Sequence, residues 1–278
     1  MPRFYRSKRF ISGLSLLSSV QCIIALTWLN KKPRKHDFTI KYKKHKRTLR
    51  AIVRGMHIKS DLQSVLELAA GDCYNLDAIR WNPDWVIDCG GNTGLFSLAA
   101  ASYWPICNIL CFEPLPENAA LITRQLQNNG LLTRVKLIQA AVGDLSRSAK
   151  FFVREANQGS LGSATNFCRS IDVDVLRLWD IYSPIRSKTV LIKMDVEGAE
   201  FDILRDFFIQ ESIGQVAFLL EVHGDCMQQK MLLADARNAG FVGGYWEKAS
   251  ETAHLFLAGP EGEWQLQFER LIEKLLPD

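Results

Sequence analysis

Val86-Ile87-Asp88-Cys89-Gly90-Gly91-Asn92-Thr93-Gly94 is the stretch on which the fold of this chain turns. An apolar run ends in an acid, turns on glycines and enters a segment, Gly94 to Tyr103, that reads as a helix stopped by Pro105. Gly90 and Gly91 permit a tight turn and let a ligand come close to the backbone. Gly94 lets the start of the helix pack against the strand. A dinucleotide loop would carry the spacing GxGxxG, so that phosphates reach the helix N-terminus. Asn92 stands where the second glycine of that pattern belongs. The acid Asp88 would repel a pyrophosphate and suits a cationic or amino-bearing ligand. A plain tight turn is the bland alternative.

Outward from this loop, short apolar runs alternate with amphipathic stretches. Strands are predicted at Trp85–Asp88, Asn108–Phe112, Val135–Val142, Thr189–Met194 and Val216–Val222. Helices are predicted at Pro116–Asn129, with proline at its start and Gly130 past its end, from about Glu197, and in a segment ending at Asn238. Phe241–Trp246 and His254–Ala258 close the pattern as two strands with no helix between them, an antiparallel pair at one edge. The chain therefore reads as an α/β, Rossmann-like, doubly wound and mostly parallel sheet with an antiparallel edge strand. Residues 145–188 are the least regular part and read as a long excursion between strands. Residues 37–58 alternate enough for a hairpin or edge strands. Ser60-Asp61 is expected to open a helix to about Ala70, with Gln63 placed as a capping-box partner. The divisions are an N-terminal segment 1–36, an extension 37–80, a ligand-binding domain 81–260 and a C-terminal helix 261–278.

Composition bounds the class. Of 278 residues, 47% are hydrophobic and 23% charged, enough for a real core. Seven cysteines, an odd number with no CxxC pair, argue against a disulfide framework or zinc knuckle and for a reducing, cytoplasmic setting. Residues 1–60 hold 16 Lys or Arg and one acid, Asp37, a net +15; against a total of +4, the remaining 218 residues carry −11. A basic arm on an acidic globule suits an anionic surface, and a solvated basic face is the alternative. Phe10–Asn30 holds no charge and is long enough for a bilayer, but its serines dilute it, and both flanks are basic. A membrane-associated helix and a helix packed on its own protein are the two readings.

Four places carry chemistry. Asp88–Gly94 suits S-adenosylmethionine, which has a sulfonium and an α-amino group and no phosphate. Glu113, directly after the second strand, stands where a ribose diol is bound. Asp195 ends the strand that should lie beside the first one, at the sheet's switch point, which puts it beside Asp88. Glu197 and Glu200 follow it, and Glu200 reads as a helix-dipole acid. Glu221 and His223 end the fifth strand on the same rim. His223, Asp195 and Glu221 are the candidates for removing a proton from a hydroxyl. Two or three of the acids are also a candidate magnesium site.

The runs VIDCGGNTGLFSLAA, CFEPLPENAALITRQLQNNG, LIQAAVGD, LIKMDVEGAEFDIL and LLEVHG, in this order over about residues 84–258, resemble the FkbM-type methyltransferase family. The resemblance implies a class I methyltransferase fold, S-adenosylmethionine as donor, and methylation of hydroxyls on natural products or glycans. Carried over, Asp88, Gly90, Asn92 and Gly94 line the methionine end of the donor, Glu113 holds its ribose and Ala141 lies near the adenine. Gly91 replaces the alanine that the family often shows, as a conservative change. The partner expected is a small-molecule or glycan acceptor, with an anionic membrane surface for residues 1–60. Nucleic-acid base methylation is disfavoured, because Asp195-Val196-Glu197-Gly198 replaces the Asn/Asp-Pro-Pro-aromatic motif that amino-methylating enzymes share. A nicotinamide-dependent oxidoreductase is disfavoured by Asn92, and a donor-binding scaffold without catalysis is the remaining rival.

Overall fold

In the computed structural model, residues 36–45, 47–68, 73–154, 159–161, 168–248 and 252–260 are described. The glycine loop joins β3 (Trp85–Cys89) to α2 (Leu95–Tyr103) near the middle of a seven-stranded sheet. Its other strands are β4 (Asn108–Phe112), β5 (Val135–Ile138), β10 (Val190–Met194), β11 (Val216–His223), β12 (Val242–Lys248) and β13 (Thr252–Ala258). The order is β12-β13-β11-β10-β3-β4-β5. From β3 the chain winds outward through β4 and β5, then crosses to β10 and β11, so the winding reverses between β3 and β10. These five strands run parallel, and β13 and β12 close the edge antiparallel, as the sequence pattern predicts. Parallel strands covered on both faces must be apolar throughout, and Val190–Met194 is buried at every position.

Helices α3 (Pro116–Asn128), α5 (Glu200–Phe208) and α6 (Cys226–Asn238) complete the crossovers together with the short α4 (Leu178–Tyr182). Helix α6 is capped by Asp225, whose carboxylate accepts from the amides of Met227 and Gln228 in a full capping box. Helix α5 starts at Glu200 and not at Glu197. Glu197 (φ 57°) and Gly198 (φ 109°) are left-handed, and the Glu200 carboxylate accepts from the Val196 and Gly198 amides at 3.0 Å.

Two regions depart from the sequence reading. The run Val135–Val142 is split: β5 ends at Ile138, and β6 (Ala141–Gly143) belongs to a second sheet. Residues 145–188 are regular for the most part, with β7 (Arg147–Val153), β8 (Gly159–Ser160) and β9 (Arg169–Arg177) forming the sheet β6-β9-β7-β8. Phe151, Val153, Val173 and Val175 point inward at alternate positions, and they pack on Leu115 and Ala141. Asp172 and Asp174 in β9, and the second phenylalanine, Phe152, in β7, conceal this period of two.

The extension forms a hairpin, β1 (Phe38–Lys44) and β2 (Arg47–Val53), followed by α1 (Ile58–Leu66). Helix α1 begins before Ser60 and has no side-chain cap; Ser60 Oγ donates to the His57 carbonyl, and Gln63 donates to Glu67, so the expected capping box is absent. Tyr42, Leu49, Val53 and Leu62 share one core cluster with Val86, Leu98 and Ile109. Helix α3 clamps the edge of β2. The Gln125 amide pairs with both backbone groups of Ile52 (2.8 and 3.2 Å), and the Asn129 amide pairs with both of Arg50 (2.9 and 2.8 Å). These side chains satisfy strand-edge groups that burial would otherwise leave unpaired. No helix among the described residues is long and apolar enough to cross a membrane. Phe10–Asn30 and the expected helix 261–278 lie outside the described residues. Cys89, Cys107 and Cys111 are buried free thiols, and Cys168 is an exposed one.

The buried joint between β2 and α1 is ionic. Arg54 grips the Asp61 carboxylate through Nε (2.8 Å) and Nη2 (2.7 Å), and its Nη1 donates to Asn118 at 2.8 Å. Asp61→Ala leaves that guanidinium without its counter-charge and should destabilise the fold by about 3–5 kcal/mol. Urea unfolding checks this, and an unchanged midpoint would mean that solvent replaces the carboxylate.

Candidate active site

The glycine loop is shaped by what packs against it. Gly90 has φ +83°, and a Cβ there would lie 2.0 Å from the Asp195 carbonyl oxygen. The space beside Gly90 thus belongs to the chain leaving β10, whose Asp195 amide donates to the Cys89 carbonyl at 3.2 Å. Gly94 (φ +78°) precedes α2 and packs on Ile122 of α3, not on its own strand. A Cβ at Gly91 would meet Cys111 Sγ at 2.6 Å and Ile122 Cδ1 at 3.0 Å, so alanine is not a neutral exchange here.

Two cavities open at the carboxyl ends of the strands. Asp88 is fully buried and lines neither of them. Its Oδ2 accepts from Ser97 Oγ at 2.7 Å, and its Oδ1 lies 3.4 Å from Lys193 Nζ. Asp88 therefore braces the loop from behind instead of lining it. Gly94 likewise lines neither cavity, whereas Gly90 and Asn92 line both.

The smaller cavity, of about 60 Å³, has Phe112, Glu113, Ala141 and Val142 in its walls. Glu113 Oε2 accepts from the Asn92 amide at 2.7 Å, and Oε1 accepts from Leu115 N at 2.9 Å and Asn118 Nδ2 at 3.3 Å. Burial pushes the Glu113 carboxyl up to about 7, and these hydrogen bonds hold it from rising further.

The larger cavity, of about 400 Å³, is walled by Tyr74, Phe96, Lys193, Asp195, Glu221 and His254, among others. Lys193 is buried within β10, opposite Asp88 in the register. Its ammonium donates to the Gly90 carbonyl at 2.7 Å, lies 3.4 Å from Asp88 and 3.9 Å from Asp195, and sits over the rings of Tyr74 and Phe96 at 5.7 and 5.9 Å. Burial alone would lower its pKa; Asp88 and Asp195 more than reverse this, so the ammonium stays charged. Burial pushes the Asp195 carboxyl up to about 7, with Lys193 opposing the rise and Glu221 adding to it. Glu221 lies across the β11–β13 register from His254, with Oε2 3.3 Å from Nε2. Burial would raise the Glu221 carboxyl, but that hydrogen bond and the nearby positive groups bring it below its usual value.

His223 is placed differently from the expectation. Its Nδ1 lies 3.1 Å from Oε1 of the fully buried Glu200, and it is not part of either cavity wall. Burial would lower its pKa, but the Glu200 bond and the surrounding carboxylates lift it to about 9. An imidazolium at neutral pH is a poor proton acceptor. Glu200, read from sequence as a dipole acid, instead holds His223 and two loop amides. Asp195, Glu197 and His223 bring ligand atoms within 4.8 Å of one another. That set fits magnesium poorly, because the ion favours six oxygen ligands and here one ligand is an imidazole held in its charged form. Sequence reasoning missed Lys193 and His254. The signal for Lys193 is a single charge inside the apolar run Val190–Met194; His254 had none beyond its place in one of the two closing strands.

The fold is a doubly wound α/β domain with two cavities at its switch point, where such sheets bind ligands. A family model described as the methyltransferase FkbM domain matches residues 88–242, more than half of the chain. The chain belongs to that family, and its domain is that of an S-adenosylmethionine-dependent methyltransferase. It is 30% identical over 161 residues to "Methyltransferase 1" of Beauveria bassiana, covering 50% of this chain and 64% of that protein. It is 29% identical over 162 residues to "2-O-methyltransferase NoeI" of Sinorhizobium fredii, covering 51% and 65%. The chain thus spans just under two thirds of these relatives. Among solved structures, an O-methyltransferase family protein from Burkholderia thailandensis aligns with a TM-score of 0.45 at 11% identity, over 75% of this chain and 61% of that one.

The raised Glu113 pKa has a consequence for stability. The folded protein holds a proton that the unfolded chain releases near 4.5, so stability from this group is complete below that pH and is lost as pH rises through about 7. Between these limits the apoprotein should lose about 3 kcal/mol, and Glu113→Gln should flatten the decline. Urea midpoints from pH 4 to 8 would test it; equal slopes in both proteins would place the proton elsewhere.

Proposed function

We propose that this chain transfers the methyl group of S-adenosylmethionine to a hydroxyl oxygen of a small-molecule or sugar acceptor. The observation that carries this reading is that Gly90, Asn92, Asp195 and Glu197 line both cavities. The two therefore meet along one seam at the switch point, where α/β sheets bind ligands. In this reading, Glu113 takes the ribose hydroxyls, with Ala141 and Val142 against the adenine. The methionine end lies along Gly90–Asn92, and the larger cavity takes the acceptor. The 2-O-methyltransferase among the relatives supports an oxygen acceptor.

The donor supplies an electrophilic methyl group on a sulfonium. The acceptor oxygen forms the new bond to carbon as the carbon–sulfur bond breaks, and that electron pair stays on sulfur. The chain's work is to hold the oxygen close and collinear and to take its proton. Asp195 suits the role of proton acceptor, since it lies on the seam and its pKa of about 7 lets it take a proton near neutrality. Glu221 shares the cavity but is the weaker base. Lys193 keeps positive charge behind both carboxylates and holds the Gly90 carbonyl.

Calorimetry should show S-adenosylhomocysteine binding and no NAD binding, with affinity rising from pH 6 to 8 as Glu113 ionises. The reverse preference would remove the assignment. Labelled-methyl transfer to a panel of sugars should rise with pH through about 7. Asp195→Asn should slow it by about 10²–10⁴-fold, while His223→Ala should keep a rising profile and move it to higher pH, because the imidazolium no longer lowers the Asp195 pKa. A profile unchanged by Asp195→Asn would move the base elsewhere.

A further inference from the structure

The hairpin ahead of the catalytic domain presents a cationic platform. Its inner face is fixed by burial of Tyr42, Leu49, Ala51 and Val53 and by the Gln125 and Asn129 clamps. Strand alternation then turns Lys41, Lys43, Thr48 and Arg50 outward, with Arg47 exposed beside the turn. The register sets Lys41 directly opposite Arg50. Like charges facing each other across an antiparallel pair destabilise it. None of Lys41, Lys43, Arg47 and Arg50 forms an ion pair among the described residues. Arg50 Nη1 reaches only the Asn128 carbonyl, at 3.4 Å. By contrast, the inward-facing Arg54 has its carboxylate, Asp61. Uncompensated charge held on a rigid two-stranded surface is what an anionic partner would neutralise.

We propose that this face docks on an anionic lipid surface. The sequence just upstream selects lipid over nucleic acid. Phe10–Asn30 carries no charged residue, and it lies between Arg3, Arg6, Lys8 and Arg9 on one side and Lys31, Lys32, Arg34 and Lys35 on the other. An apolar run with basic flanks is matched to hydrocarbon beneath phosphate headgroups, and a phosphodiester backbone offers it nothing. The hairpin extends the same basic sequence as a folded surface, while the remainder of the chain carries the opposing −11. Helix α1, which follows the hairpin, lines the larger cavity with Ser60, Gln63 and Ser64.

The test is flotation of the full chain with vesicles of phosphatidylcholine alone or mixed with phosphatidylserine, at about 150 mM salt. Partition should rise with the phosphatidylserine fraction and fall with added salt. A basic residue near such a surface contributes about fivefold. Lys41→Ser/Lys43→Ser/Arg50→Ser should thus weaken partition by about 10²-fold, and Lys41→Ser alone by about fivefold, with urea midpoints no lower than in the unaltered chain and S-adenosylhomocysteine affinity unchanged. Equal partition onto neutral vesicles, or wild-type partition in the triple variant, overturns the proposal. A duplex RNA that strips the chain from vesicles through the same three residues also overturns it, in favour of nucleic acid.

Discussion

Lys193 places a full positive charge inside a parallel sheet, and the rim at the carboxyl ends of the strands is arranged around it. Such a charge is tolerated only with counter-charges and hydrogen bonds close by. Asp88 on the neighbouring strand, Asp195 two residues on, and the Gly90 carbonyl supply them. The same contacts set the site. Binding the Gly90 carbonyl fixes the loop at its turn, pairing with Asp88 ties β3 to β10 where the winding reverses, and proximity to Asp195 sets the electrostatics of the seam between the cavities. Tyr74 and Phe96 cover the ammonium with ring faces, which contributes attraction without adding a further charge.

Carboxylates with different neighbours take different roles on this rim. Glu113 is surrounded by donors yet buried enough to hold a proton near neutrality. Glu221 has His254 beside it and stays ionised. Glu200 is sealed beneath the rim and holds His223 charged. The environment of each group, and not its chemical type, decides whether it binds, braces or moves a proton.

Much of the fold was legible because parallel strands covered on both faces must be apolar: β3, β4, β10 and β11 all follow that rule. Glu113 and Asp195 were singled out by their places at strand ends and Ala141 by the family resemblance, and all three line the smaller cavity. The failures have physical causes. The β7–β9 sheet alternates apolar and charged residues with one solvent face, which resembles irregular chain when read for apolar runs. Lys193 and His254 acquire their roles from partners roughly 30 to 100 residues away. The protonation of His223 depends on Glu200, whose position at a helix start gave a sufficient but incomplete local explanation. The clamping role of Gln125 and Asn129 has no local signal, because the strand edge they serve lies more than seventy residues earlier.

Gly91, Cys111 and Ile122 occupy a single shared volume, with a strand thiol and a helix methyl meeting where a loop side chain would otherwise be. Those three positions cannot drift independently. A lineage that gains alanine at 91 has to shed bulk at 111 or 122 first, and one that enlarges 111 is thereafter confined to glycine at 91. The order of substitutions is therefore constrained. The glycine loop inherits part of its permissible alphabet from a strand and a helix that follow it in the chain.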